Sequence, residues 1–307
     1  KLKINYEKEA KKPLFNALIV NFKSHKLAGS TLLSRSLIDW VSFACGDIPH
    51  RVINVEEKEN LLDIVQDKLD SKYDYTIVLM FNTPLLSSKT LQEIMDYAMY
   101  KKINLCKLPV GYVIGKDYNE NTTVDSVFSN LLDDFYQVDN KRQLNHAIDV
   151  LQERINSFHI LNGVEIKKPK SVYIEPMVDI EEGVIIYEYN YLKLNVMPYG
   201  GILNYGWMDR PLSIAGRVIL KENNVIDNSK VGKNSCISGS VITKSVLADN
   251  VYVASFCEIN NSLINQDAII DKGCAINNYN VISGDKVKAN SVLGDTNDSS
   301  SGAGQSR

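Results

Sequence analysis

The sequence predicts two kinds of structure in one chain of 307 residues, an α/β domain followed by a solenoid of parallel β-strands. Short apolar runs alternate with helical patterns over the first third of the chain, which is typical of βαβ units and a parallel sheet. One long amphipathic pattern follows. Aliphatic residues then recur every six positions, which is typical of a left-handed β-helix, in which each hexad forms one flat face of a triangular coil.

The α/β domain is predicted from its alternating elements. A continuous apolar strand at 75–81, ending at Asn82-Thr83-Pro84, has the profile of a central parallel strand. Ligands of such sheets bind beyond the carboxyl ends of the strands, so the residues after Phe81 are of most interest. Strands are predicted at 15–20, 51–55 and 75–81, and helices at 30–43, 57–69, 87–101 and 140–158.

The solenoid is predicted from three blocks with a period of six. A small or compact residue follows several of the aliphatic residues by four positions. Asparagines suit the tight corners because they tolerate left-handed backbone conformations with positive φ. The small residues are Ser229, Ser235, Val241, Ser255, Ala268 and Cys274. The aliphatic blocks are Ile174, Ile180, Ile186 and Leu192; Val225, Val231 and Ile237; and Ile264, Ile270, Ile276 and Ile282, with Val251 and Cys257 as a further pair.

Two segments depart from this period. The insertion MPYGGILNYGWMDRP at 197–211 is predicted to be a loop on the binding face of the solenoid. The polar tail at 294–307 is predicted to be disordered. The candidate binding residues of the loop are Tyr199, Asn204, Tyr205, Trp207, Asp209 and Arg210.

Composition narrows the function classes. A net charge of −3 and a pI near 5.9 provide no basic surface for nucleic acid. The sequence has no run of 18 consecutive apolar residues, so no membrane span is predicted. Five cysteines without a CxxC motif indicate reduced thiols rather than disulfides or zinc ligands. A cytoplasmic protein without a nucleic-acid partner is therefore expected.

The junction between the two parts carries a family resemblance. The stretch VDNKRQLNHAIDVLQERINSFHILNGVEIKKPKSVYIEPMVDI (138–180) resembles the junction of the bifunctional bacterial enzymes of UDP-N-acetylglucosamine synthesis. Those enzymes join N-acetylglucosamine-1-phosphate uridyltransferase to glucosamine-1-phosphate N-acetyltransferase. HKLAGSTLL (25–33) and NTPL (82–85) are similar to two further family segments. The agreeing junction residues are Ala147, Arg154, Ile155, Asn156, His159, Asn162, Gly163, Val164, Pro169, Tyr173 and Ile174.

The resemblance implies a domain order and an assembly. It implies a reduced Rossmann-like nucleotidyltransferase domain over 1–137 and a linking helix and junction over 138–170. A left-handed β-helix over 171–293 would form a homotrimer. A sugar nucleotide is the ligand class that this family implies.

The departures from the family argue against its activities. The glycine-rich loop that cradles the nucleotide triphosphate is missing between Val20 and His25, and so is the segment that reads the uracil. No histidine lies within 171–293, although acetyltransferases of this fold generally use one as general base. We therefore expect a divergent member without either activity, acting as a binding, regulatory or scaffold protein. An active nucleotidyltransferase or acyltransferase with an altered site, and a purely structural solenoid, remain the alternatives.

One possible site is left in the α/β part. The family binds its metal through an aspartate of the "GDTPL" motif and an asparagine of the "VNNR" motif. Here those positions are Asn82 and Asp139, so the carboxylate and the amide have exchanged places. Because Mg²⁺ held mostly by substrate phosphates needs only one or two carboxylates, the pair is a candidate magnesium site. No catalytic residue is assigned.

Overall fold

The computed structural model describes residues 13–56, 60–193 and 213–294. The chain divides into two compact units, 1–150 and 151–307, called here the α/β unit and the β-helix unit. None of the helices in these described ranges is long and apolar enough to cross a membrane.

The α/β unit contains a mixed six-stranded sheet, in the order β4-β1-β5-β7-β6-β8, and a separate hairpin of β2 and β3. β1, β4 and β5 are parallel, as predicted. β7 is antiparallel to β5 and β6, so the expected all-parallel sheet is wrong beyond β5. β6 and β7 are joined by only four residues, which suffice for a hairpin but not for a parallel crossover. The strands are β1 (Phe15–Phe22), β2 (Thr31–Leu32), β3 (Arg35–Ser36), β4 (His50–Val55), β5 (Tyr75–Met80), β6 (Leu105–Lys107), β7 (Tyr112–Gly115) and β8 (Ser126–Val127).

The first predicted helix is shorter than expected. The sequence predicts a helix over 30–43, but residues 31–36 form the β2–β3 hairpin and α1 begins at Leu37. Leu33 and Ser34 have positive φ angles of 46° and 62°, which make the tight turn. Ser36 then caps α1 by accepting a hydrogen bond from the Asp39 N–H, while the Asp39 carboxylate accepts one from the Ser36 N–H. This capping box fixes where the helix starts.

The other helices follow the prediction with shifted ends. α2 is confined to Leu61–Gln66 after the cap residue Asn60, whereas 57–59 lie outside the described residues. α3 (Ser88–Lys101) begins after the predicted cap residue Ser87. α4 (Lys141–Leu161) continues three residues beyond the predicted end at 158. The helices of the α/β unit are α1 (Leu37–Cys45), α2, α3 and the first part of α4, with a 3-10 turn at Leu132–Phe135.

The β-helix unit consists of three parallel sheets, one for each face of the coils. It confirms the predicted left-handed parallel β-helix. Face 1 contains β10 (Tyr173–Ile174), β13 (Tyr191–Lys193), β16 (Val225–Asp227), β19 (Val241–Thr243), β22 (Glu258–Asn260), β25 (Ala275–Asn277) and β28 (Val292–Gly294). Face 2 contains β11 (Asp179–Ile180), β14 (Ser213–Ile214), β17 (Lys230–Val231), β20 (Val246–Leu247), β23 (Leu263–Ile264) and β26 (Asn280–Val281). Face 3 contains β9 (Glu165–Ile166), β12 (Ile185–Ile186), β15 (Ile219–Leu220), β18 (Cys236–Ile237), β21 (Tyr252–Val253), β24 (Ile269–Ile270) and β27 (Lys286–Val287), and a 3-10 turn at Pro169–Ser171 precedes β10.

The interior of the coils is a column of aliphatic side chains from all three faces. Each strand points one residue inward and its neighbours outward, so the inward residues stack from coil to coil. The predicted interior is confirmed for Ile174, Ile180, Ile186, Leu192, Val231, Ile237, Val251, Cys257, Ile264, Ile270 and Ile276, all of which are buried.

The strict period of six fails at several corners. From face 1 to face 2 the inward residues are six apart in the first coil, Ile174 to Ile180, but five apart in later coils, as in Ile226 to Val231 and Ile276 to Val281. The predicted interior positions Val225 and Ile282 are therefore wrong: Val225 is only half-buried and Ile282 is exposed. Ile237 on face 3 and Ile242 on face 1 are also five apart, so Val241, predicted as a compact corner residue, is exposed, while Ser240 and Ile242 are buried. Ser255, another predicted corner residue, is half-buried next to the buried Cys257.

Buried serines explain how most of these short corners close. The Ser245 N–H donates to Ser229 Oγ (3.1 Å), and the Ser262 N–H donates to Ser245 Oγ (3.1 Å). Each serine therefore satisfies an N–H of the next coil that would otherwise be buried without a partner.

Candidate functional site

The carboxyl ends of β1 and β5 lie at the same edge of the sheet, because the strands are parallel with Val20 opposite Met80. Asn82 follows β5 and is buried, and His25 lies in the turn after β1. Asp139 immediately precedes the cap of α4. The edge therefore brings together three segments that are far apart in the sequence.

Three side chains meet there and form a cluster called here the clasp, made of His25, Asn82 and Asp139. Asn82 Nδ2 donates to Asp139 Oδ1 at 2.8 Å. His25 Nε2 lies 3.1 Å from the same oxygen. The structure thus brings together the two predicted metal-site residues and adds a histidine. Whether the pair binds a metal stays a prediction.

The ring of His25 is held from two further sides. The Leu27 N–H donates to His25 Nδ1 at 3.2 Å, and the edge of the ring packs against Phe81 with centroids 5.0 Å apart. Since Nδ1 accepts a hydrogen bond, the ring proton of the neutral imidazole lies on Nε2 and is donated to Asp139. Both ring nitrogens are therefore engaged, and His25 has no free lone pair with which to act as a base.

The three side chains of the clasp differ in their access to solvent. The side chain of Asp139 is 50% exposed, whereas that of His25 is 9% exposed. The side-chain amide oxygen of Asn82, Oδ1, is buried and has no hydrogen-bond partner among the residues that the structure describes. An unpaired buried carbonyl costs about 1–3 kcal/mol, and such groups are concentrated at functional positions.

The cap of α4 fixes the position of Asp139. Asn140 Oδ1 accepts from the Gln143 N–H at 3.0 Å, and Gln143 Oε1 accepts from the Asp139 N–H at 2.9 Å. This reciprocal arrangement holds the backbone on either side of the carboxylate. The carboxylate is consequently presented by a rigid helix start.

The N–H groups of the turn after β1 donate to carbonyl oxygens of the same segment. The His25 N–H donates to the Phe22 carbonyl, the Ala28 N–H to the His25 carbonyl and the Ser30 N–H to the Leu27 carbonyl, at 2.9–3.0 Å. A phosphate-binding loop instead points several free N–H groups at one anion. These donors are therefore not available to a triphosphate.

The start of α3, on the same side of the sheet, is also filled. Ser87 Oγ donates to Asp134 Oδ2 at 2.8 Å, and Thr90 Oγ1 donates to the same oxygen. A helix N-terminus favours an anion, and here the chain supplies its own carboxylate.

The described part of the β-helix contains no histidine. His159, near the end of α4, is only 5% exposed. Burial lowers the pKa of His159 below its usual value, and the nearby Asp179 carboxylate partly opposes this effect. The residue is therefore a buried neutral side chain that packs at the base of the coils.

Two buried cysteines of the α/β unit are poor candidates for nucleophiles. Burial raises the pKa of Cys45 to about 12 and that of Cys106 to about 11. A thiolate nucleophile needs the opposite shift. All five cysteines are free thiols.

Sequence reasoning missed His25 as part of the site. The residue opens the segment HKLAGSTLL, so the signal lay in that resemblance rather than in any spacing. The six candidate loop residues, Tyr199, Asn204, Tyr205, Trp207, Asp209 and Arg210, lie outside the described residues, as does the predicted tail from 295 onward.

Comparison with protein families gives two matches. The family described as GlmU-like, C-terminal hexapeptide, matches residues 217–302. The family of aminopeptidase I zinc metalloproteases (M18) matches 153–238. Within the described ranges no group of three or more histidine, cysteine, aspartate or glutamate side chains is placed to hold a metal, so the second match receives no support from a zinc site.

Curated relatives agree with the first match. The chain is 31% identical over 173 residues to the bifunctional protein GlmU of Streptococcus equi subsp. zooepidemicus, covering 55% of this chain and 33% of that protein. It is 26% identical over 227 residues to the bifunctional protein GlmU of Clostridioides difficile, covering 68% and 46%. The chain therefore spans between a third and a half of these relatives.

Solved structures add little. The acetyltransferase domain of PglB from Neisseria gonorrhoeae has a TM-score of 0.25 and 7% identity, covering 91% of this chain and 96% of that one. Perosamine N-acetyltransferase from Caulobacter crescentus has a TM-score of 0.25 and 11% identity, covering 91% and 90%. At these values the fold assignment rests on the strand registers described above.

Proposed function

We propose that this chain, a divergent relative of the bifunctional GlmU proteins, lacks both transferase activities and acts as a binding or scaffold protein in sugar-nucleotide or cell-envelope metabolism. One observation carries the proposal. The carboxyl edge of the sheet, where a nucleotide would bind, is closed by the hydrogen bonds of the chain itself. This closure involves the turn after β1, the clasp and the start of α3.

Phosphoryl transfer depends on positioning and charge neutralisation, so the loss of these donors matters. Removing a single donor to a developing oxyanion typically costs on the order of 100- to 1000-fold in rate. Here several N–H groups of the turn after β1 are used internally. Uridyl transfer should accordingly be absent.

Acetyl transfer is expected to be absent for a different reason. A positioned general base contributes roughly 100- to 10000-fold. The sequence has no histidine within 171–293, and His159 is buried.

The donor set at the clasp does not fit a resident magnesium ion as it is arranged. Only one carboxylate is present, and both neighbours direct N–H groups at its Oδ1 atom. Magnesium requires oxygen ligands in near-octahedral geometry.

The alternative is an active transferase with an altered site. The buried, unpaired carbonyl of Asn82 and the half-exposed Asp139 favour it, because a turned amide would place two oxygens side by side. Magnesium bound between them would neutralise phosphate charge. A purely structural solenoid is the third possibility.

Activity and binding assays on the purified protein separate these functions. We expect no turnover with UTP, N-acetylglucosamine-1-phosphate and Mg²⁺, and none with acetyl-CoA and glucosamine-1-phosphate. A GlmU protein assayed in parallel provides the control. Turnover near that of an ordinary enzyme, about 10 per second, would contradict the proposal.

Thermal shift then distinguishes a binding protein from a structural one. A ligand at 100 times its Kd stabilises the fold by about 2.7 kcal/mol. We expect UDP-N-acetylglucosamine to stabilise the protein by binding away from the closed edge, and UTP, whose triphosphate needs the donors of the turn after β1, to give no shift. No shift with either nucleotide or with acetyl-CoA would favour the purely structural role.

The proposal includes a homotrimer in the cytoplasm. The outward residues of face 1 support it, because Tyr191, Val225 and Val241 stack as apolar neighbours on one side of the exposed Glu258, and Ala275 and Val292 stack on the other. Closed cyclic packing would cover these residues without forming filaments. Light scattering should give three times the chain mass of 34.5 kDa, whereas a monomer mass would contradict the assembly.

A further inference from the structure

The clasp lies where relatives of this chain are expected to hold a divalent cation, yet its atoms are arranged differently. We infer that the imidazole N–H of His25, together with the amide of Asn82, takes the place of that cation and keeps the edge closed without metal. The inference deepens the proposed function. It rests on that function in one respect, that no Mg²⁺-dependent step runs at this edge.

The first step concerns the tautomer of His25. Nδ1 accepts the Leu27 N–H at 3.2 Å, so the proton lies on Nε2. Nε2 is 3.1 Å from Asp139 Oδ1, so the carboxylate receives an N–H at the point where a cation would approach. A ring nitrogen that carries a proton has no lone pair for a metal.

The second step concerns the amide of Asn82. Its Nδ2 donates to the same Asp139 oxygen at 2.8 Å, while its own carbonyl oxygen is buried without a partner. Ligation of a cation would require the amide to turn by half a rotation. That turn would break the hydrogen bond to Asp139 and leave the NH₂ group buried, so in its present orientation Asn82 offers no oxygen to a cation beside Asp139.

The third step concerns what holds His25 in place. Its ring packs edge-on against Phe81, which is fully buried directly after β5. The ring also stays bonded to the turn after β1 through Leu27. His25 is therefore a positioning residue that joins the turns after β1 and β5 to the start of α4.

Nitrogen-15 NMR of the histidine rings in the full chain tests the tautomer directly. The signals are assigned with single substitutions of His25, His50, His146 and His159. We expect His25 as the Nε2–H tautomer, with no saturable broadening when Mn²⁺ is added, since Mn²⁺ prefers the same oxygen ligands as Mg²⁺. An Nδ1–H tautomer, or saturable broadening that Asp139→Ala abolishes, would overturn the inference.

A gain-of-binding variant provides the complementary test. The double variant His25→Ala, Asn82→Asp removes both N–H donors and supplies a second carboxylate. Its Mn²⁺ affinity by calorimetry should exceed that of the wild type by at least about tenfold. Asn54→Asp adds one carboxylate on β4, outside the clasp, and should show no such gain. If the double variant keeps its amide spectrum but gains no binding, these two donors are not what excludes the cation.

The outcomes remain separable from those of the proposed function. Transferase turnover without Mn²⁺ binding at the clasp would contradict the proposed function and leave the clasp intact. Mn²⁺ binding that depends on Asp139, with neither activity present, would overturn the clasp alone.

Discussion

The two units satisfy their buried polar groups in different ways. In the β-helix, one solution recurs from coil to coil: Ser245 bonds to Ser229, and Ser262 bonds to Ser245. In the α/β unit the clasp occurs once. It joins Asp139 to Asn82, which is 57 positions away in the sequence, and to His25, which is 114 positions away. It also leaves the side-chain oxygen of Asn82, Oδ1, without a partner among the described residues.

This difference indicates that the β-helix unit is a structural scaffold, whereas the clasp is a candidate functional site. A ladder that repeats provides stability in proportion to the number of coils, since each coil contacts only its neighbours. A unique, partly unsatisfied cluster adds little to stability and is more typical of a functional position. The comparison predicts large, local effects for substitutions in the coils and smaller effects at the clasp.

The largest effect should come from charge inside a coil. Ile269 and Ile270 are neighbours in β24, but Ile270 is fully buried and Ile269 is 39% exposed. Ile270→Asp places an unpaired charge in the apolar interior and should lower the free energy of unfolding by more than about 4 kcal/mol. Hydrogen exchange should then show lost protection in the β-helix peptides.

Ile269→Asp is the matched control, because it changes the same residue type on the outer side of the same strand. Its effect should stay within about 1 kcal/mol. Equal losses at both positions would contradict a strand with one inner and one outer side.

The repeated coils were the part of the fold that the sequence predicted best. The same period recurs in many hexads, so one irregular hexad does not change the prediction. Eleven of the thirteen residues assigned to the interior are buried. The two failures, Val225 and Ile282, come from corners shortened by one residue. Ser229 lies in the first of those corners and Tyr279 in the second, where its N–H donates to Ser262 Oγ, and nothing in a fixed period of six indicates either corner.

The α/β unit was predicted less completely because its elements do not repeat. β1, β4 and β5 were found from their apolar runs, but the β2–β3 hairpin and the antiparallel β7 depend on short local turns. Asn82 and Asp139 were paired through the resemblance alone. His25 was missed because its role depends on a contact with Asp139 across the sheet edge, which no local pattern encodes.

A second effect in the coils concerns a buried amide. The Asn224 side chain is fully buried and donates to Asn190 Oδ1 at 3.0 Å and to the Ile237 carbonyl at 3.3 Å. Its own oxygen accepts the Ser240 N–H at 3.0 Å. Asn224→Ala leaves these buried groups without hydrogen-bond partners. It should lower the free energy of unfolding, measured by denaturant, by about 3 kcal/mol.

Asn234→Ala provides the comparison, since its side chain bonds to Asn250 at an exposed corner. It should cost less than about 1 kcal/mol. A similar loss for both asparagines would mean that burial does not set the value of these ladders.

The clasp should respond more weakly than the coil interior. Asp139→Ala removes the oxygen that accepts from Asn82 and His25, which costs about 1–2 kcal/mol because water can reach a half-exposed position. Hydrogen exchange should increase near the turns after β1 and β5 and leave the β-helix unchanged. Asp139→Asn keeps an acceptor oxygen and should lose less; a larger loss than Asp139→Ala would contradict the clasp.

The smallest effect is a gain in stability at a corner between faces 3 and 1. Phe256 has a φ of 66° and is 82% exposed, whereas Gly239 and Gly273 occupy the equivalent corners of the neighbouring coils. A bulky residue in this left-handed region costs about 1–2 kcal/mol, and asparagine tolerates it better. Phe256→Asn should therefore raise the free energy of unfolding by about 1 kcal/mol, or the melting temperature by about 2–4 °C. Phe256→Ala removes the ring but keeps the Cβ atom, so it should gain little if backbone strain is the cause. An equal gain from both variants would assign the effect to the exposed ring. A loss from both would show that Phe256 packs against a partner surface, and the strain at this corner would then belong to the function of the coils rather than to their fold.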